Sequence, residues 1–363
     1  LSRLGSEAVM RDFFAKYIAF LYRDMKKGEK VGVIIDSTGL HNATDMPMTA
    51  ISNHNGDINR ESRFIIVQDK ATAAPVFFRA VPGNVLDVST LCRTVAELGQ
   101  LGVDIDCALV DAGYYDEENA KALYGNSINF ISRLGENRRL YRELVSKHIG
   151  TIRQAKYMVK YGSRIVYMRR FAVDLFGNPG YAYLGVDMDV RINLEKRTSV
   201  NALADRLPRK DIDDSLSRLG SFALVSSMKM EPSEILPSYY IRQRAEQLID
   251  VAKNNADIVP LRIHSESTYQ GHLLLSFMAT AVISRLQREF LGKTKKVQKI
   301  NPESSFMALR NQKCKVYGNV IIPQEPVKRV NDILDTLGLE FPVTIDLSML
   351  QKVTAEKKPC GKK

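Results

Sequence analysis

Two aspartates and one glutamate are the residues of this chain best suited by type and setting to act together. Asp36 follows the apolar run Val31-Gly-Val-Ile-Ile35, and Asp111 follows Cys107-Ala-Leu-Val110. Short runs of this kind read as buried strands, and a carboxylate just past one of them points into the crevice at the carboxyl end of a sheet. Glu246 lies in a stretch expected to be helical from Pro237 and Ser238 to about Lys253. On a wheel of ~100° per residue, Tyr239, Arg242, Glu246 and Lys253 project to about 0°, 300°, 340° and 320°, a single narrow stripe. Ile241, Ala245, Leu248 and Ala252 project to about 200°, 240°, 180° and 220°, so the core face and the chemical face are separate.

Carboxylates drawn from distant parts of a chain are what hard divalent cations require, and two such ions about 4 Å apart clamp the attacking and leaving oxygens of a phosphodiester. Arg242, one turn from Glu246, can offer its planar fork to a phosphate. Lys253 lies about 10 Å along the axis from Glu246, so it is expected at a neighbouring phosphate and not at the same metal. An isolated Asp after a strand is more often a turn cap, and the confined stripe on the helix is what favours the chemical reading here. His272, at the start of a long apolar helix, reads as a packed structural residue, since two-metal phosphoryl transfer needs no histidine.

The elements that must position these residues are legible in outline. Strands are expected at Phe64–Gln68 and Pro75–Val81 with a hairpin between them, helices at Val85–Leu101 and Glu117–Leu123, and strands at Ile128–Ser132 and Phe222–Ser226. Three strands, a helix, a strand, a helix and a strand make a mixed α/β sheet in the order of ribonuclease-H-like folds. The expected division is an N-terminal helical segment over 1–28, a catalytic core over 29–135 and 221–290, a β-rich basic insertion over 136–220, and a C-terminal region over 291–363 ending in the Lys-rich tail of Lys357, Lys358, Lys362 and Lys363. The chain opens on Leu1 with a helical pattern almost at once, which suggests the remainder of a longer N-terminal region.

The formal net charge is +11 with a sequence pI near 9.3, which favours a polyanionic partner through counterion release. Most of that charge lies between Arg138 and Arg170, where ten Lys and Arg residues face the single acid Glu143 and Tyr141, Tyr157, Tyr161 and Tyr167 are interleaved. Cations mixed with aromatic rings suit phosphate neutralisation and base stacking. Arg164, Arg169 and Arg170 flank the strand-like Ile165–Met168 and are the expected contacts. Cys92, Cys107, Cys314 and Cys360 form no Cys-x-x-Cys pair, which argues against a zinc knuckle or disulfide framework and fits a reducing cytoplasm. No apolar stretch approaches the roughly 18 residues of a membrane span.

Tyr239-Tyr-Ile-Arg242-Gln-Arg-Ala-Glu246 followed by Lys253 matches every position of the signature Y-x-x-R-x-x-x-E-x-x-x-x-x-x-K. With Ile34-Ile-Asp36-Ser-Thr38 and Asp111-Ala-Gly-Tyr-Tyr115, this resembles the DDE transposases of bacterial insertion sequences, specifically the insertion-sequence-four superfamily with its Tyr-Arg-Glu-Lys group. The resemblance covers roughly Lys30 to Leu286. It implies a ribonuclease-H-like core, metal ligation by Asp36, Asp111 and Glu246, two Mg²⁺ or Mn²⁺ ions, nicking of double-stranded DNA at transposon ends, and strand transfer by the freed 3′-hydroxyl to a target. It also implies a homodimer in the DNA complex and a nucleoid-associated protein. Related enzymes place a tryptophan in the insertion for hairpin formation, and this chain has none. The competing readings are a domesticated or decayed transposase that binds DNA without cutting it, and a stand-alone ribonuclease-H-like nuclease.

Overall fold

The computed structural model describes residues 1–26, 28–42, 44–53, 58–205, 216–259, 261–293 and 302–347. The Lys-rich tail, Cys360 and most of the basic stretch Lys293–Lys299 lie outside them. The chain divides into two compact units, Leu1–Thr280 and Ala281–Lys363.

In the first unit α1 (Glu7–Leu21) precedes β1 (Val31–His41), β2 (Ala50–Asn53), β3 (Ile58–Asp69) and β4 (Pro75–Pro82). Then come α2 (Leu91–Gln100), β5 (Ile105–Val110), α3 (Glu117–Gly125) and β6 (Asn129–Leu134). These strands stand in the order β4-β3-β1-β5-β6, with β2 extending the pairing of β3. β3 runs antiparallel to β1, while β1, β5 and β6 are mutually parallel. This is the ribonuclease-H-like arrangement expected from the sequence. Its parallel strands are buried on both faces, which is why Val31–Ile35 and Cys107–Val110 are nearly unbroken apolar runs. Val33, Ile35, Ala108 and Val110 join one core, and Ile34, Cys107 and Leu109 join the other. Phe14 and Ile18 of α1 are buried in the first core, Phe14 edge-on to Phe77 and Phe78 of β4.

The region after β6 holds the strands expected of it, together with helices at either end. It opens with α4 (Arg139–His148), continues through β7 (Met158–Tyr161), β8 (Arg164–Asp174) and β9 (Pro179–Asp187), and closes with α5 (Met188–Asp205). Its strands do not form a separate body: β10 (Ser221–Ser226) pairs with β6 on one side and β9 on the other, so one sheet runs on to β7. The sequence shows strands here but not their partners, because pairing across such a distance leaves no local pattern.

Two expected helices also shift. Val85–Leu101 is helical only from Leu91, with a 3₁₀ turn at Asp87–Ser89 before it. Pro237 does not start a helix but lies inside α6 (Pro232–Tyr240), whose first turn has Pro232 in the position where a missing N–H costs nothing. The Glu231 N–H, one of the groups just outside that turn, donates to the Glu234 carboxylate at 3.1 Å. A tight turn at Ile241 and Arg242 separates α6 from α7 (Gln243–Asn255), and there Arg242 N–H donates to Tyr239 O and Ala245 N–H to Arg242 O. These three-residue bonds are of the 3₁₀ kind. The helix α8 (Glu266–Lys293) follows, and the first unit ends within it. His272 Nε2 lies 3.3 Å from Ile258 O, the structural placement expected of it.

The second unit holds α9 (Pro302–Arg310), β11 (Cys314–Tyr317), β12 (Val320–Pro323), α10 (Lys328–Leu337) and β13 (Ile345–Asp346), the three strands forming a small antiparallel sheet. Among the described residues no helix is long and apolar enough to cross a membrane.

Candidate functional site

Asp36 is not at the end of its strand as expected. β1 continues to His41 because its antiparallel pairing with β3 runs on, Asp36 opposite Ile66, while its parallel pairing with β5 stops at Ile35 opposite Val110. The crevice therefore opens on the β5 side, where Asp36 of β1 and the loop residue Asp111 each follow the last pair of the parallel ladder. Asp36 is 8% exposed, and its Oδ1 accepts a hydrogen bond from the Ser37 backbone N–H at 2.9 Å.

Although the helix carrying the other residues is broken, its stripe still meets this edge. Arg242 donates from Nη1 to Asp36 Oδ2 at 2.9 Å and from Nη2 to Glu246 Oε1 at 2.6 Å. The Tyr239 hydroxyl donates to Asp111 Oδ1 at 3.5 Å, the long limit of such a bond. Lys253, in the last turn of α7, donates from Nζ to Thr38 Oγ1 at 2.8 Å. Ala245, Leu248 and Ala252 are buried on the opposite side of α7. An open cleft of about 480 Å³ lies alongside, lined by Arg133, Arg218, Tyr239, Tyr240, Arg242 and Glu246 among others.

The electrostatics are those of a crowded acidic site. Burial pushes the Asp36 carboxyl up to about 6, with Asp111 and Glu246 adding to the shift and Arg242 and the Ser37 N–H opposing it. Burial works against the Arg242 charge, yet Asp36 and its acidic neighbours hold the guanidinium firmly protonated. Burial likewise raises the Tyr239 hydroxyl, so it remains a donor. Among the described residues no three His, Cys, Asp or Glu side chains form a ready metal-binding group. The guanidinium of Arg242 instead supplies the positive charge between Asp36 and Glu246. Burial, with like charge from Asp111 and Glu246 added to it, destabilises the Asp36 carboxylate, and carboxylate oxygens are the donor type that a hard divalent cation takes.

The basic residues of β8 do not share one rim. Strand alternation places Arg164 and Arg170 on the face of Val166 and Met168, and Arg169 on the other. Arg164 donates to Asp187 at 3.0 Å and lies over the rings of Tyr161 and Tyr240, and Arg170 donates to Glu231 at 2.7 Å. Arg169 lies over the rings of Tyr157 and Phe171.

Some residues near the site escaped the sequence reading. Ser37 and Asp87, hydrogen-bonded at 2.6 Å, and Arg63, paired with Asp87 at 2.7 Å, lie on the far side of β1 from Arg242. The available signal was Arg63 itself, a charge bordering the apolar run Phe64–Val67 that burial obliges to find a partner.

The fold and the acid-bearing edge together define a ribonuclease-H-like α/β protein with its acidic residues gathered where two parallel strands part. The chain belongs to the transposase DDE domain family, whose profile matches residues 27–282. No curated protein matches its sequence. Among solved structures, a piggyBac transposase synaptic complex with hairpin DNA shares 14% identity over 98% of this chain and 70% of that one, with a TM-score of 0.42. The NurA nuclease from Sulfolobus solfataricus shares 10% over 78% of this chain and 92% of that one, with a TM-score of 0.25. A Drosophila P element transposase strand transfer complex shares 9% over 98% and 84%, with a TM-score of 0.18. Scores this low add nothing to the fold class, which rests on the chain's own strand order.

Proposed function

We propose that this transposase-family chain is a metal-dependent DNA nuclease and strand-transferase of the insertion-sequence-four type, acting on double-stranded DNA at transposon ends. The observation that carries the reading is the position of Arg242, which joins Asp36 of β1 to Glu246 of α7 while Tyr239 reaches Asp111. Arg242 and Lys253 thus bond to Asp36 and Thr38 of β1, Tyr239 to Asp111 just past β5, and Glu246 is tied to β1 through Arg242. Asp36, Asp111 and Glu246 would hold two Mg²⁺ or Mn²⁺ ions, which when bound supply activation of the attacking oxygen and stabilisation of the leaving one. Arg242 has a planar fork to offer to a scissile or adjacent phosphate, and Lys253 a point charge for the next one along. Tyr239 borders the cleft as a neutral donor. Strand transfer to a target duplex calls for two ends held together, which a homodimer in the DNA complex would provide. The direct test is nicking of DNA taken from the flanks of the source gene, with and without Mg²⁺ or Mn²⁺. Absence of any metal-dependent cut on such DNA would defeat the proposal.

A second expectation concerns the basic face. Each phosphate neutralised contributes about 0.9 to the slope of log affinity against log salt. Arg169→Ala should therefore flatten that slope by roughly 0.9 in duplex titrations at several salt concentrations. Arg164 is a poorer probe, because its loss strands the Asp187 carboxylate, which is 2% exposed, without its ion-pair partner. An unchanged slope would remove Arg169 from the DNA surface.

A further inference from the structure

We propose that Asp87 is a positioning residue for Asp36 and Asp111, acting through Ser37 and braced by Arg63. The inference rests on the nuclease reading above and deepens it by naming what holds the acidic residues from behind. Asp87 Oδ1 accepts from Ser37 Oγ at 2.6 Å and from Arg63 Nη1 at 2.7 Å. Ser37 in turn donates its backbone N–H to Asp36 Oδ1 at 2.9 Å. Three links thus run from a guanidinium that is 2% exposed to the carboxylate facing the crevice. Their order matters, since Asp36 lies where β1 has lost its parallel partner and needs another constraint on its direction.

Asp87 also borders the second aspartate. A Cβ on Gly113, in the 3₁₀ turn that follows Asp111, would stand 3.5 Å from Asp87 Oδ2. Asp87 is itself held in a 3₁₀ turn, its carbonyl accepting from Thr90 Oγ1 at 2.7 Å. One carboxylate therefore packs against the residues that follow both Asp36 and Asp111, and it does so across the sheet from Arg242 and the cleft. It touches neither, so its part is to fix direction. Groups that orient metal-ligating carboxylates typically change metal affinity or activity by about 10- to 100-fold when removed.

Ser37→Ala removes the hydroxyl link and leaves the strand and the backbone N–H in place. Asp87→Ala alone would strand the buried Arg63 charge and could unfold the chain, so the companion variant is the double replacement Arg63→Met with Asp87→Leu. Replacing both partners of a buried pair with apolar residues of similar volume is often neutral for stability. Three quantities are read for each: Mn²⁺ affinity by electron paramagnetic resonance, the nicking rate of supercoiled plasmid at saturating protein, and duplex affinity. Both variants should bind Mn²⁺ about 10- to 100-fold more weakly and nick correspondingly slower, with duplex affinity and melting temperature close to wild type. If wild type binds Mn²⁺ and nicks while Ser37→Ala keeps its Mn²⁺ affinity, the positioning role is wrong and the nuclease reading stands. If wild type neither binds Mn²⁺ nor nicks, the nuclease reading fails and this inference with it.

Discussion

Changing Asp36 to Asn, Asp111 to Asn or Glu246 to Gln should each lower DNA nicking by roughly 10³-fold or more while leaving duplex affinity nearly intact. Each substitution replaces a charged oxygen donor with an amide of the same shape, so the lost quantity is metal binding and the transition-state charge stabilisation it provides. That stabilisation is several kcal/mol, and each 1.36 kcal/mol is a factor of about ten in rate. Duplex affinity should persist because the phosphate contacts belong to cations elsewhere, and removing a negative charge next to DNA does not weaken them. The measurement is a single-turnover nicking rate beside a binding titration on the same DNA. A residue whose neutral variant cuts at the wild-type rate is not a ligand. Arg242 makes the comparison sharper: it is paired with Asp36 and Glu246 but not bonded to Asp111, so Asp111→Asn alone leaves the guanidinium bridge whole.

The second large effect concerns the sheet. Leu224 is fully buried in β10, where it faces Arg133 of β6 and Tyr183 of β9 in register. Leu224→Ala should cost about 2–5 kcal/mol, from lost burial and the cavity left between Tyr183, Ile131 and the helix carrying Ile235 and Leu236. Because the sheet is continuous from β4 to β7, the loss should weaken hydrogen-exchange protection in β1 and β5 as well as in β8 and β9. Protection lost in β7–β9 alone would show that the strands beyond β10 open independently, despite their pairing with the core sheet.

How far these features are visible without a structure depends on the range of the interaction behind them. The two buried apolar runs and the aspartates that follow them announce themselves, because a strand segment covered on both faces must be apolar throughout and a charge just past that segment is a break in composition. The stripe of Tyr239, Arg242, Glu246 and Lys253 is legible for a similar reason, since helical period alone brings those offsets to one side. That stripe survives the turn at Ile241, which periodicity does not reveal because its backbone remains close to helical: φ −58° and ψ −18° at Ile241. Arg164, Arg169 and Arg170 mark the opposite case. Their number and spacing suggest one rim, but strand alternation separates them, and the buried Asp187 and the exposed Glu231 engage two of them.

Local order and composition therefore determined the α/β class and the order of elements along the core, and singled out the three acidic residues and their helical companions as candidates. Only the tertiary structure decided that Asp36 lies in mid-strand with one side open, that β7–β10 continue the core sheet, and that Arg242 joins Asp36 to Glu246. It alone also decided that Asp87 and Arg63 stand behind Ser37. Each of these is a contact between residues far apart in the chain, and burial energy rewards such a contact wherever the fold happens to bring the partners together. Nothing in the residues adjacent to either partner records it, because the constraint is on their shared surroundings and not on their neighbours in sequence.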